Sequence, residues 1–171
     1  MPLFYYLYKV KYFKVKYPKI FEKISIDLSS DRTKGMHKNY KNKDYYVGDK
    51  TKKYNIDGIL AELIAQYFLD TLGYSYQALS FLGTDPEVEA DIKLDNKTID
   101  VKYIPFYGKL LMVNHNSHNN KDKNISDYLF VRPNKDTSKG YTNCEIWIVS
   151  HKDVDLWNIQ EHHTKVFAKK I

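Results

Sequence analysis

The segment Glu89-Ala-Asp-Ile-Lys-Leu-Asp-Asn-Lys-Thr-Ile-Asp-Val-Lys102 gathers charged side chains in a pattern that can do chemistry. Side chains on a strand alternate faces. Ala90, Ile92 and Leu94 then share one side of a first strand, and Ile99, Val101 and Tyr103 share one side of a second. Asp95-Asn96 suits a two-residue turn, because both residue types tolerate positive φ. That turn sets Asp91 across from Asp100 and Ile92 across from Ile99. Two carboxylates directly opposed stand about 5 Å apart at Cβ and repel. A divalent cation between them offsets the repulsion, and hard oxygen ligands suit Mg²⁺ or Mn²⁺. Lys102 shares the face, where it can orient an attacking water or stabilise charge growing on a phosphoryl group. The same residues also fit a solvated polar face in which Lys93 and Lys102 neutralise the acids, the commoner case for an amphipathic hairpin.

A third acid comes from the preceding helix. Ile59, Leu60, Leu63, Ile64, Tyr67, Phe68 and Leu72 recur at helical spacing over residues 58–72. Asn55 or Asp57 suits the start, and Gly73 suits the left-handed residue past the end. Glu62 lies among Ala61, Ala65, Gln66 and Leu69 on a helix apolar around most of its girth. A carboxylate there is costly if buried without a partner. A helix-surface acid favoured by the positive N-terminal end of the helix is the plainer reading.

The elements that must hold these residues are legible in outline. Residues 3–17 mix Lys with Val, Tyr and Phe and favour a strand ended by Pro18. Residues 29–56 show no apolar periodicity and read as a long basic loop. Strands are expected at 76–82, 89–94, 97–104, 110–113, 128–132 and 145–149, with a short helix from about Asp153. A helix, three strands, an irregular link and a further strand make a mixed α/β pattern.

The 171 residues suit a single domain. A basic N-terminal extension (1–56) leads into a core (57–150) and a C-terminal segment (151–171). The net charge of +6 is uneven. Residues 1–56 carry 14 Lys/Arg against 5 Asp/Glu, and the remainder carries 13 against 16. A basic front end suits a partner made of phosphates, although a lysine-rich composition with only Arg32 and Arg132 as arginines is also a compositional bias. No apolar run approaches the roughly 20 residues of a membrane span. Lys9, Lys11 and Lys14 follow the apolar start too closely for a secretory signal. Cys144 is the only cysteine, so an internal disulfide and a thiolate metal centre are excluded. An intracellular, cytoplasmic protein of bacterial, phage or other viral origin is the expectation.

Gly58-Ile-Leu-Ala-Glu62, Glu89-Ala-Asp91 and Ile99-Asp-Val-Lys102, in that order, resemble the PD-(D/E)XK nuclease superfamily with its restriction-endonuclease-like fold. The resemblance spans about residues 57–132. It implies an α/β core with a mixed sheet flanked by helices. It also implies Mg²⁺- or Mn²⁺-dependent endonucleolytic hydrolysis of DNA phosphodiesters, structure-specific or restriction-like, and a homodimer where two strands are cut. By resemblance, Asp91, Asp100 and the Val101 carbonyl ligate the metal, Glu62 binds it directly or through water, and Lys102 positions the nucleophilic water. Ala90 stands where the family's name places Pro. A second core helix is due within Leu110–Asn124, where the sequence is poor helix material.

Lys34, Lys38, Lys41 and Lys43 are the candidate backbone-gripping cations, with Asn116, His118 and Lys121 as further phosphate contacts. His115, Asn116, His118 and Lys121 otherwise form a polar surface loop; a ββα-metal nuclease with a histidine base lacks its downstream ligands here. His162-His163 read as surface residues, and the 16 tyrosines as mostly core or strand-surface. The competing class is a non-catalytic nucleic-acid-binding or protein-interaction module on the same fold. It differs in predicting no metal site at the acids.

Overall fold

The computed structural model describes residues 10–39, 49–79, 90–120, 124–134, 140–161 and 165–171, with the side chains of 35–39 and 49–51 left aside. Strand β1 (Lys11–Pro18) leads into helices α1 (Ile20–Asn39) and α2 (Asp49–Thr71). Next come β2 (Gln77–Ala78), β3 (Ile92–Leu94), β4 (Lys97–Tyr103), β5 (Leu110–Asn114), α3 (His115–His118) and β6 (Asp127–Pro133). The chain ends with β7 (Tyr141–Ser150), α4 (His151–Val154), β8 (Asn158–Glu161) and β9 (Lys165–Lys170). Six strands form one mixed sheet in the order β1-β7-β6-β4-β3-β2, antiparallel except for β4 beside β6. A smaller sheet, β5-β9-β8, stands apart from it.

The large sheet is buried on both faces. Leu60, Ala61, Ile64, Phe68 and Leu69 of α2 pack on Ile92, Leu94, Ile99, Val101, Leu129 and Val131. On the other face Tyr128, Phe130, Trp147 and Val149 meet Leu111, Val113 and Phe167 of the smaller sheet, and Val154 and Trp157 beside it. The hydrophobic burial of these two clusters holds the sheet edge still, which a site built there requires.

Helix α1 corrects the expected basic loop over residues 29–56, whose ends are helical in α1 and α2. Phe21 of α1 meets Tyr67 of α2 edge to face at 5.7 Å, and small side chains fill the next turns. Ser25 and Ser29, one turn apart, are both fully buried. Their hydroxyls bond back to the carbonyls of Glu22 and Ile26, which satisfies them without an external partner. Asn55 of α2 then donates to Thr33 Oγ1 at 2.7 Å. Asn55 and Asp57 therefore lie inside α2 rather than at its cap, because the helix starts at Asp49. Its far end is as expected: Gly73 takes φ 75° just beyond Thr71.

The hairpin register is also as expected. Ile92 pairs with Ile99 and Leu94 with Lys97, and Asp95 takes φ 53° in the turn. Two other expectations are corrected. The segment after β5 supplies only the four-residue α3 in place of a second core helix. The C-terminal segment holds α4 and then two strands, with Phe167 and Ala168 buried in β9. Among the described residues, no helix is long and apolar enough to cross a membrane.

Candidate active site

Asp91 is where the sheet edge becomes a site. Its amide donates to the Ile99 carbonyl at 3.0 Å, although Ile99 is already the ladder partner of Ile92. Two residues thus oppose one, in the manner of a β-bulge. A bulge changes the face on which the preceding residues emerge. Ala90, expected beside Ile92, is instead buried in the opposite cluster with Tyr128 and Phe130. Asp91 therefore does not stand across from Asp100. Its Oδ2 accepts from the Val101 amide at 2.7 Å, meeting a donor that β3 no longer reaches.

Backbone groups along β4 alternate between its two neighbours. Ile104, just past the end of β4, donates to Val131 of β6, whereas Ile99 accepts from Asp91 on the β3 side. By that alternation the carbonyl of Val101 turns to the β3 side, next to the Asp91 carboxylate. Asp100 and Lys102 emerge on the face opposite Ile99 and Val101, with Tyr128 and Phe130 as their in-register neighbours on β6. Lys102 Nζ lies 2.8 Å from Asp100 Oδ1 and 2.7 Å from Oδ2. Its side chain stays about a third exposed, so solvent reaches it.

Glu62 approaches from α2 and is only 4% exposed. Arg32 of α1 meets it at 2.6 Å, Nη1 to Oε1. Arg32 is a residue that sequence reasoning missed. The one available signal was its rarity: it is one of two arginines among 27 basic residues, and a buried carboxylate favours guanidinium.

Electrostatics joins these groups across the sheet edge. Burial first, and then the charge of Asp91, push Glu62 up to about 8 against the pull of Arg32, with Asp100 adding to the rise. Burial and the Asp100 charge likewise hold Asp91 above the usual carboxylate range, against the Val101 hydrogen bond and the nearby cations. Burial alone would lower Lys102, but Asp100, Asp91 and Glu62 more than reverse it and keep the ammonium charged. Glu62 and Asp91 both feel the Asp100 charge, and Lys102 feels all three acids, so the donor set is rich in hard oxygen. That chemistry fits Mg²⁺ or Mn²⁺, with the Val101 carbonyl as a further oxygen.

The remaining candidates scatter. Lys34 is exposed on α1 and pairs loosely with Asp31 at 3.3 Å. Lys38 lies on α1 with its side chain outside the described set, and Lys41, Lys43, Lys121, His162 and His163 lie outside the described residues. Asn116 is exposed on α3. His118, expected on a polar surface loop, is instead buried at 2% exposure. The reason is a set of partners distant in sequence. Nδ1 meets Tyr128 Oη at 2.9 Å, and Nε2 meets Asp155 Oδ1 at 2.8 Å. The ring stacks on His151 with centroids 3.7 Å apart and planes 12° apart.

His118, His151 and Asp155 each offer a ligand atom within 4.8 Å of the others and could hold a metal ion. Nearly parallel rings aim their in-plane lone pairs along parallel planes, so one ring must rotate before both address one ion. His151 Nε2 is moreover engaged by the His118 carbonyl at 3.0 Å. As it stands, the cluster is a satisfied hydrogen-bond network.

In comparisons with known proteins, no family model, no curated protein and no solved structure matches this chain.

Proposed function

We propose that this protein is a metal-dependent endonuclease of the PD-(D/E)XK type that hydrolyses DNA phosphodiester bonds. The observation that carries this reading is that the Asp100 charge, beside the paired Lys102, adds to burial in raising both Glu62 and Asp91. Folding alone gains nothing from acids that oppose one another's ionisation, whereas a cation-binding site requires such a set. The order of elements supports the reading. A helix bearing Glu62 precedes three antiparallel strands, and a crossover returns β6 parallel to β4. A restriction-endonuclease-like core has that strand order, with a second helix in the crossover where this chain has only the four-residue α3.

Asp91, Asp100 and the Val101 carbonyl would hold Mg²⁺ or Mn²⁺, with Glu62 reaching it directly or through water. When bound, the ion supplies Lewis acidity and a more acidic water. The chain's own residues do the rest. Asp91 locks the Val101 peptide through its amide, which fixes the carbonyl. Arg32 holds one oxygen of Glu62 and so orients the other. The Lys102 ammonium, held at the mouth by Asp100, orients the attacking water and offsets charge on the phosphoryl oxygens. The exposed lysines of α1 give a salt-sensitive grip on the backbone.

Incubation with linear, single-stranded and branched DNA plus Mg²⁺ tests this. Cleavage by the wild type and none by Asp100→Ala is expected. Equal cleavage by both refutes the site, and binding without metal or cleavage favours the non-catalytic module.

A further inference from the structure

A groove of about 400 Å³ opens beside Lys102. Its apolar lining comes chiefly from Tyr107, Leu110, Met112 and Phe130, and Lys102 and Lys109 supply positive charge. That volume falls in the range of small-ligand sites. The loop between β4 and β5 forms one wall, where Tyr107 is 67% exposed, with Phe106 beside it, outside the lining, at 51%. Their rings meet edge to face at 5.1 Å.

Such exposure is unfavourable in water, yet the loop is held firmly. Gly108 donates to the Pro105 carbonyl at 2.7 Å, closing a tight turn. A Cβ at Gly108 would come within 2.6 Å of Ile104 Cγ2, so only glycine fits there. Arg132 donates to the Gly108 carbonyl at 2.7 Å and is itself fixed by Glu145. Ile104 is tied to Val131 at 2.7 Å. The aromatic wall is therefore preorganised, which lowers the entropic cost of binding.

We propose that this groove is a subsite for an unpaired nucleobase next to the scissile phosphate, a proposal that rests on the nuclease reading above. Two features select this occupant. Lys102 belongs to both the groove and the catalytic cluster, so a phosphate held there puts the adjoining nucleotide at the groove. The lining combines flat aromatic and apolar surface with cations, which complements a base attached to a phosphate. A base within a duplex stack cannot enter such a concavity, so the substrate class is single-stranded, flapped or base-flipped DNA.

The test pairs binding with cleavage. Anisotropy in EDTA compares a labelled single-stranded oligonucleotide, an abasic phosphodiester oligomer of equal length, and a blunt duplex. The single strand is expected to bind about tenfold tighter than the abasic oligomer, by the usual strength of base–aromatic stacking. Tyr107→Ala and Met112→Ala, both at exposed positions, should remove most of that preference while keeping the wild-type melting profile. Equal binding of the base-bearing and abasic strands overturns the subsite, as does a preference that survives both substitutions. Cleavage in Mg²⁺ is read separately. Cleavage without base-dependent binding leaves the nuclease reading standing and sinks the subsite. Base-dependent binding without any cleavage sinks the nuclease reading and upholds the groove as a base-binding site.

Discussion

Two polar clusters lie on this sheet, and they are opposite in kind. Around His118 every ring nitrogen meets a partner, in Tyr128, Asp155 and the stack with His151. Glu62 and Asp91, by contrast, are buried acids made harder to ionise by burial and by the charge of Asp100, with Asp91 also raising Glu62. A satisfied network stabilises the fold; a strained one is retained for something else.

Activity should divide the clusters most sharply. Asp100→Ala and Lys102→Ala are expected to cut DNA cleavage by about 10²-fold or more, while His151→Ala stays within about twofold. Gel-based rates per folded molecule check this, and a large loss in His151→Ala would erase the distinction.

Stability should divide them with the opposite sign. His118→Ala removes a buried ring and two hydrogen bonds and should cost about 3 kcal/mol. Asp91→Asn keeps an acceptor for the Val101 amide but removes a repelled charge. The metal-free protein should gain about 1 kcal/mol at alkaline pH. Urea denaturation in EDTA measures both, and destabilisation by Asp91→Asn would count against a strained acid cluster.

The pH dependence has two slopes. Glu62 has a folded pKa of about 8, above its ordinary 4.5. Its contribution is fully present below pH 4.5 and is lost as pH rises through 8. His118 has a folded pKa below its ordinary 6.5, lowered chiefly by burial. Its contribution is present above 6.5 and is lost as pH falls. Metal-free stability of Glu62→Gln should therefore decline less than wild type from pH 5 to 9, while His118→Asn should lose less than wild type on acidification below 6.5. Unfolding free energies across that range supply the check.

The smallest effect is expected at the basic helix. Lys34→Ala should change stability by less than about 0.5 kcal/mol and lower the slope of log affinity against log salt by about one.

The hairpin was legible because its cues are local. Alternating Ile92, Leu94, Ile99 and Val101 fix the buried face, and Asp95-Asn96 fixes the turn and hence the register. The bulge at Asp91 has no local signature, since it depends on the Val101 amide ten residues away. The helical part of residues 29–39 was missed because the buried positions of α1 beyond Phe21 include Ser25, Ser29 and the half-buried Arg32, which leave no apolar stripe. Arg32 and His118 were misjudged for a shared reason. Their partners, Glu62 and Asp155, lie 30 and 37 residues off, and only the fold brings them together.

Calorimetric titration with Mn²⁺ at pH 7, where Glu62 is still largely protonated, in buffers of different ionisation enthalpy, asks whether the acids at Asp100 bind a cation. Binding is expected to release protons, to be abolished in Asp100→Ala and to persist in His151→Ala. Binding that survives Asp100→Ala but is lost in His151→Ala would move the metal to the histidine cluster and contradict the site at Asp100.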